Sequence, residues 1–176
     1  MKCLLFATTV LTASFASAGD NTATLSEQLK PFAPLLGKTW KGEFNTSTPE
    51  KPLFDVARWE RALNGKAVRV LHSVNDGAYG GETIITWDAN KKTLAYWYFT
   101  TAGFRTEGAM KHEDGQWAGH EIVAGAAGGI TEVKSRSKIL ADGRLLVKAE
   151  YLKDGNWSEG REVHYKEAPE AKVIFK

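Results

Sequence analysis

Four histidines and a single cysteine bound the chemistry this chain could perform. His72 stands with Val68, Val70 and Val74 on one face of an alternating segment. An imidazole there is either a core residue hydrogen-bonded to a neighbour or a polar anchor inside a ligand cavity. Paired with an acid such as Glu82 or Glu107, it would also suit an isomerase or hydrolase. His120-Glu121 opens a zinc-protease motif, but its second histidine is missing, because position 124 is Ala. The segment also reads as a strand, where residues four apart do not converge on one ion. His112 sits beside a predicted turn. His164 alternates with Glu162 and Lys166 on a face that reads as solvent-facing. No metal site is expected.

Nucleophilic catalysis lacks a signature. Cys3 falls in an N-terminal segment that reads as a leader, and no Gly-x-Ser-x-Gly elbow is present. Glu159 and Arg161 are two apart on one strand face. They suit an ion pair at a barrel end, or an anchor for a ligand carboxylate or phosphate. Gly125 to Gly129 has neither the phosphate-loop lysine nor dinucleotide spacing and reads as a hairpin loop that could cover a cavity. Lys134, Arg136 and Lys138 alternate with Ser135 and Ser137, a pattern that fits a solvated outer face.

The elements that must position these residues begin after a leader. Met1-Lys2-Cys3 carries one positive charge, Leu4 to Phe15 is apolar, and Ala16-Ser17-Ala18 is a small-x-small cleavage site. This is the pattern of a secretory signal peptide over 1–18, with the bacterial periplasm as the expected destination. It is too short and wrongly flanked to span a membrane. Residues 19–176 then form one domain without cysteine, and no disulfide framework is available to it. The formal net charge of +2 falls by one when Lys2 leaves. A near-neutral chain argues against nucleic acid as a partner.

Turn chemistry sets out the rest. Asn64-Gly65, Asp76-Gly77, Asp114-Gly115, Asp142-Gly143 and Asp154-Gly155 are five dipeptides that readily supply positive φ angles in hairpins. Between them the residues suit strands. Thr93 to Thr100 is aromatic and β-branched on both faces, and Trp157, Glu159, Arg161, Val163 and Tyr165 alternate along the last segment. Ten strands are expected, at 37–46, 53–63, 66–75, 81–87, 93–101, 103–111, 116–124, 129–140, 144–152 and 157–166. Only Leu25 to Leu36 reads as a helix, opened by the capping box Thr24-Leu25-Ser26-Glu27 and weakened by Pro31 and Pro34. An antiparallel up-and-down meander of this length avoids two open edges by closing, so the predicted fold is an all-β barrel with one short N-terminal helix.

Pro34-Leu35-Leu36-Gly37-Lys38-Thr39-Trp40-Lys41-Gly42 resembles the opening of calycin barrels, the superfamily of lipocalins and fatty-acid-binding proteins. In that superfamily a Gly and a Trp on the first strand close the barrel base after a short helix, and an arginine from the last strand often packs across the Trp. Arg161 lies in a suitable strand for that role. The spacing departs from the lipocalin pattern by one extra residue between Gly37 and Trp40. The Leu-Leu-Gly-x-x-Trp-x-Gly run is more similar to nitrobindin-like haem barrels, and more similar again to small exported lipocalin-like proteins. The resemblance implies a barrel with a cavity and no particular ligand. The haem barrels would imply a proximal histidine near His164, which the strand alternation opposes, so no cofactor is expected.

Six Trp and five Tyr exceed what closing one small barrel needs. They either wall a ligand cavity that has a few polar anchors, or fill the barrel and lie in its outer wall. The expected function is therefore to bind or carry a small apolar or amphipathic molecule between the strands bearing His72, Trp97, Tyr151 and Arg161. Cleavage after Ala18 makes Gly19 the first residue of the exported protein, and N-terminal sequencing of the periplasmic fraction checks this. Retention of Met1 there would remove the export assignment.

Overall fold

The computed structural model describes residues 25–125 and 128–176. The expected leader at 1–18, the cleavage point, Thr24 of the capping box and two alanines of the Gly125–Gly129 loop lie outside the described residues. Ten strands form one closed antiparallel barrel: β1 (Thr39–Phe44), β2 (Phe54–Ala62), β3 (Ala67–Val74), β4 (Tyr79–Asp88), β5 (Thr93–Thr100), β6 (Arg105–Glu113), β7 (Gln116–Ala124), β8 (Ile130–Ile139), β9 (Leu145–Lys153) and β10 (Asn156–Glu167). Each strand pairs with its sequence neighbours. β1 closes the ring by pairing with β2 on one side and β10 on the other, with Gly42 opposite both Asp55 and Tyr165.

The Asx-Gly dipeptides turn the chain as their backbone preference requires. Asp114-Gly115 and Asp154-Gly155 adopt φ of 51° and 73°, and of 50° and 76°, both residues left-handed as a two-residue hairpin with the strand twist demands. Asn64-Gly65 and Asp76-Gly77 sit in longer turns that also force Leu63 and Asn75 to positive φ. At Asp142-Gly143 only the glycine is left-handed, and the Asp142 carboxylate instead accepts the Arg144 amide.

The helix is shorter than expected and of a different kind. Glu27–Leu35 is a 3₁₀-helix. Pro31 and Pro34 each lack an amide donor, so a run of α-helical hydrogen bonds cannot form there. The Ser26 hydroxyl donates to the Gly65 carbonyl and does not cap the helix. With three residues per turn, Leu29, Phe32 and Leu35 line up on one face, and all three are fully buried. They plug one end of the barrel. Phe32 stacks between Trp59 and Trp117, at centroid distances of 5.9 and 5.3 Å, and Trp40 Nε1 donates to the Leu35 carbonyl.

A bulge in β10 corrects the expected face of the last strand. Glu159 lies opposite Glu150, but Glu162 lies opposite Lys148, so one extra residue enters β10 between them. Trp157 and Glu159 therefore face outward, with the Lys134 ammonium 4.0 Å from the Trp157 ring centroid. Beyond the bulge Arg161 points into the barrel, and Val163 and Tyr165 are buried. The Glu159–Arg161 ion pair allowed by simple alternation does not form, because the two side chains lie on opposite faces of the wall.

Replacing Phe32 with Ala removes the ring that joins the helix to both tryptophans. The expected cost is about 3–5 kcal/mol of unfolding free energy, as for other large aromatic truncations in cores. Urea unfolding followed by Trp emission reads it, with the β-type circular dichroism spectrum retained before the transition.

Candidate functional site

The barrel encloses a cavity of about 350 Å³. Towards the helix plug its wall is apolar, with Trp59, Val70, Ile85, Met110, Leu145 and Val147. All five tyrosines of the chain line it: Tyr79, Tyr96, Tyr98, Tyr151 and Tyr165. Interior glycines make room for three of these rings. A Cβ on Gly81 would come 2.5 Å from Tyr98 Cε2, one on Gly160 would come 2.5 Å from Tyr151 Cε2, and one on Gly108 would come 2.8 Å from Tyr96 Cζ. The rings lie against bare backbone and leave the centre of the lumen open.

His72 faces this lumen as expected, and its partner is Asp55. Nδ1 of His72 lies 2.9 Å from Asp55 Oδ1, and Tyr165 donates its hydroxyl to Asp55 Oδ2 at 2.5 Å. Asp55 is only 2 % exposed, and both carboxylate oxygens are occupied. On the other side His72 Nε2 lies 2.7 Å from the Tyr98 hydroxyl, which is 2.9 Å from the Tyr79 hydroxyl. Four polar side chains thus form one chain, from Asp55 through His72 and Tyr98 to Tyr79. Burial raises the pKa of Tyr98, Tyr79 and Tyr165 above the usual phenol range, so all three remain neutral hydroxyls.

Glu82 and Glu107, the acids considered as partners for His72, are on the outer face. Glu82 pairs with Arg69 at 2.8 Å, and Glu107 with Arg105 at 3.1 Å. The acids inside are Asp55 and Glu121. The Thr106 hydroxyl donates to Glu121 Oε2 at 2.5 Å, and burial raises the Glu121 pKa, against which Thr106 and Arg161 pull downward. Strand alternation marks both residues: Asp55 shares its parity with Ala57 and Trp59, and Glu121 with Trp117 and Val123.

Arg161 also lines the cavity. Burial opposes its charge, but the Tyr165, Tyr151, Asp55 and Tyr98 oxygens around it outweigh this, and its pKa stays above the ordinary guanidinium range. Among the described residues it makes no ion pair, and its Nε is buried without a hydrogen-bond partner. Tyr151 joins it at the lumen. Trp97 does not. It is 37 % exposed and sits on the outer wall between Ile84 and Glu107. The β5 run is aromatic on both faces, so hydrophobicity alone could not assign its parity; Leu94, Tyr96 and Tyr98 take the inside.

The remaining histidines are not in the cavity. His164 Nε2 lies 2.9 Å from Glu162 Oε1 on the outer face, and His120 Nε2 lies 2.6 Å from Glu132. His112 packs against Trp117 near the plugged end. Among the described residues no three His, Cys, Asp or Glu side chains converge as metal ligands, and no helix is long and apolar enough to cross a membrane. No protein-family model matches the chain, and no curated protein matches it in sequence. The class is set by geometry: a closed ten-stranded antiparallel barrel, consistent with the calycin-like architecture, around a largely apolar cavity that also carries polar side chains.

Glu121 makes stability depend on pH with a definite sign. Unfolded, its carboxyl ionises near 4.5; folded, it keeps its proton to higher pH. Between those values the native state binds more protons, so its stability falls as pH rises through that window. Glu121→Gln removes the term while keeping a hydrogen bond to Thr106. The variant is expected to melt higher than the wild type at pH 7, and the difference should close towards pH 4, as read by paired thermal melts.

Proposed function

We propose that this is an exported protein that binds a small amphipathic acid inside its barrel. The observation that carries the reading is Arg161: a half-buried cation lining the cavity, whose buried Nε has no hydrogen-bond partner and which makes no ion pair among the described residues. The Asp55 carboxylate favours the charge without forming an ion pair with it, and a ligand carboxylate or similar oxyanion at Arg161 would add the direct, charge-assisted hydrogen bonds its Nε lacks. The Tyr151 hydroxyl, which also lines the cavity and makes no hydrogen bond among the described residues, can donate to the same oxygens. The apolar wall towards the plug would take a ring or an acyl chain, with about 25 cal/mol gained per Å² removed from water. A volume of about 350 Å³ lies within the range of small-molecule sites. The calycin-like opening at Gly37 and Trp40 and the signal-like leader agree with an exported lipocalin-like binder in the periplasm. On this reading the chain needs no cofactor to bind its ligand.

A fluorescent polyene fatty acid added to the protein tests it, with quenching of Trp emission as the signal. Arg161→Gln should weaken binding by about tenfold or more, since a hydrogen bond to a charged group contributes roughly 1.5–3 kcal/mol. The methyl ester of the probe should lose a similar factor on the wild type. Trp97→Ala, on the outer wall, should leave affinity unchanged. Equal affinity for acid and ester, or full affinity in a folded Arg161→Gln protein, would remove the assignment; melts of each variant establish that it is folded.

A further inference from the structure

The chain from Asp55 to Tyr79 has a property that simple binding does not use. Each tyrosine hydroxyl has one proton to donate. With His72 neutral and its Nδ1–H on Asp55, Nε2 accepts from Tyr98, Tyr98 accepts from Tyr79, and Tyr79 has no proton left for the lumen. With His72 doubly protonated, Nε2–H donates to Tyr98, Tyr98 donates to Tyr79, and the Tyr79 proton is free to enter the cavity. One proton on a buried histidine therefore reverses two hydroxyls and is delivered at Tyr79. Glu121 opens onto the same cavity, with one oxygen held by Thr106 and the other without a hydrogen-bond partner among the described residues. Arg161 acts electrostatically on both sets: its charge is felt at Tyr79, Tyr98 and Glu121. The lumen thus contains an anion anchor, a carboxyl base and a proton-delivering hydroxyl.

Resting on the binding reading above, we propose that the cavity interconverts the keto and enol forms of an oxo acid. The substrate carboxylate is held at Arg161, its carbonyl oxygen faces Tyr79, and the C–H bond beside the carbonyl faces Glu121. The Glu121 carboxylate takes the proton from carbon, the C–H electron pair becomes the C=C bond, and the carbonyl π pair moves onto oxygen. Tyr79 gives its proton to that oxygen, Tyr98 restores Tyr79, and His72 Nε2–H restores Tyr98. Glu121 ends protonated and His72 neutral; exchange of both with water, or reversal of the step, completes the cycle. No oxidant, reductant or cofactor is needed. Burial suits the parts to their roles, since it strengthens Glu121 as a base and keeps the tyrosines as neutral donors to the developing oxyanion. Asp55 cannot be the base at carbon, because His72 and Tyr165 occupy its two oxygens.

The test follows phenylpyruvate and 2-oxohexanoate in D₂O by proton NMR, with Trp quenching in the same samples measuring binding. The wild type should wash out the protons beside the carbonyl at least about a hundredfold faster than buffer, the lower range for a placed general base. Glu121→Gln should return exchange to the buffer rate with affinity within about threefold. Tyr79→Phe should slow it by about tenfold or more, and Glu82→Gln, on the outer wall, should not change it. Binding without accelerated exchange would overturn the activity and leave the binding reading standing. Full exchange in a folded Glu121→Gln protein would overturn the assignment as drawn. Absence of both binding and exchange would remove the two readings together.

Discussion

Closure of the sheet is the constraint on which the rest of this molecule depends. β1 must satisfy two partners at once, β2 and β10, and it does so through a strand of only six residues whose centre is Gly42. A Cβ at Gly42 would come 2.7 Å from a Val163 methyl carbon and 2.8 Å from the His164 carbonyl oxygen, so the seam admits no side chain at this position. Once the ring is shut no sheet edge remains to be protected, and the interior becomes a lumen too wide for valine and alanine to fill. Phe32 and its two leucine neighbours fill one end. The remainder stays open.

What lines the open part is an economy of tyrosine and glycine. The rings of Tyr96, Tyr98 and Tyr151 lie over residues without a side chain, while the Tyr98 hydroxyl reaches His72 and the Tyr165 hydroxyl reaches Asp55. The arrangement satisfies Asp55 completely, from two sides, and leaves Arg161 incompletely satisfied. The proposed binding rests on that imbalance.

The outer wall obeys a different logic. Arg69 with Glu82, Lys148 with Glu162 and Arg105 with Glu107 are half-exposed pairs, and such surface pairs contribute little to stability individually. Their placement still matters for reading the molecule, because Glu82 and Glu107 face outward in such pairs, across the wall from His72. The basic stripe of Lys134, Arg136 and Lys138 is exposed as its alternation implied. Lys134 lies over the outward Trp157, covering part of an aromatic surface that the bulge in β10 turned away from the lumen.

Much of the fold was legible in the chain because it rests on local rules. Asx-Gly pairs mark hairpins through their tolerance of left-handed backbone, and alternation marks strands through the pleat, so ten strands and a closed meander follow from nearest neighbours. The inward position of His72 was legible for the same reason. A short helix weakened by Pro31 and Pro34 was legible before the first strand, but not its 3₁₀ form or its place as a plug. Partners across the barrel were not legible. Asp55 meets His72 because β2 pairs with β3, but Tyr165 reaches the same carboxylate only because the ring closes, 110 residues further along the chain. The outward turn of Trp97 came from a strand whose two faces offer no polarity contrast. The separation of Glu159 from Arg161 came from one inserted residue, and a period-two pattern cannot show where its own phase changes. The sequence determined which residues could face a lumen; only the closed tertiary structure decided which of them share it, because that depends on registers set across the whole ring.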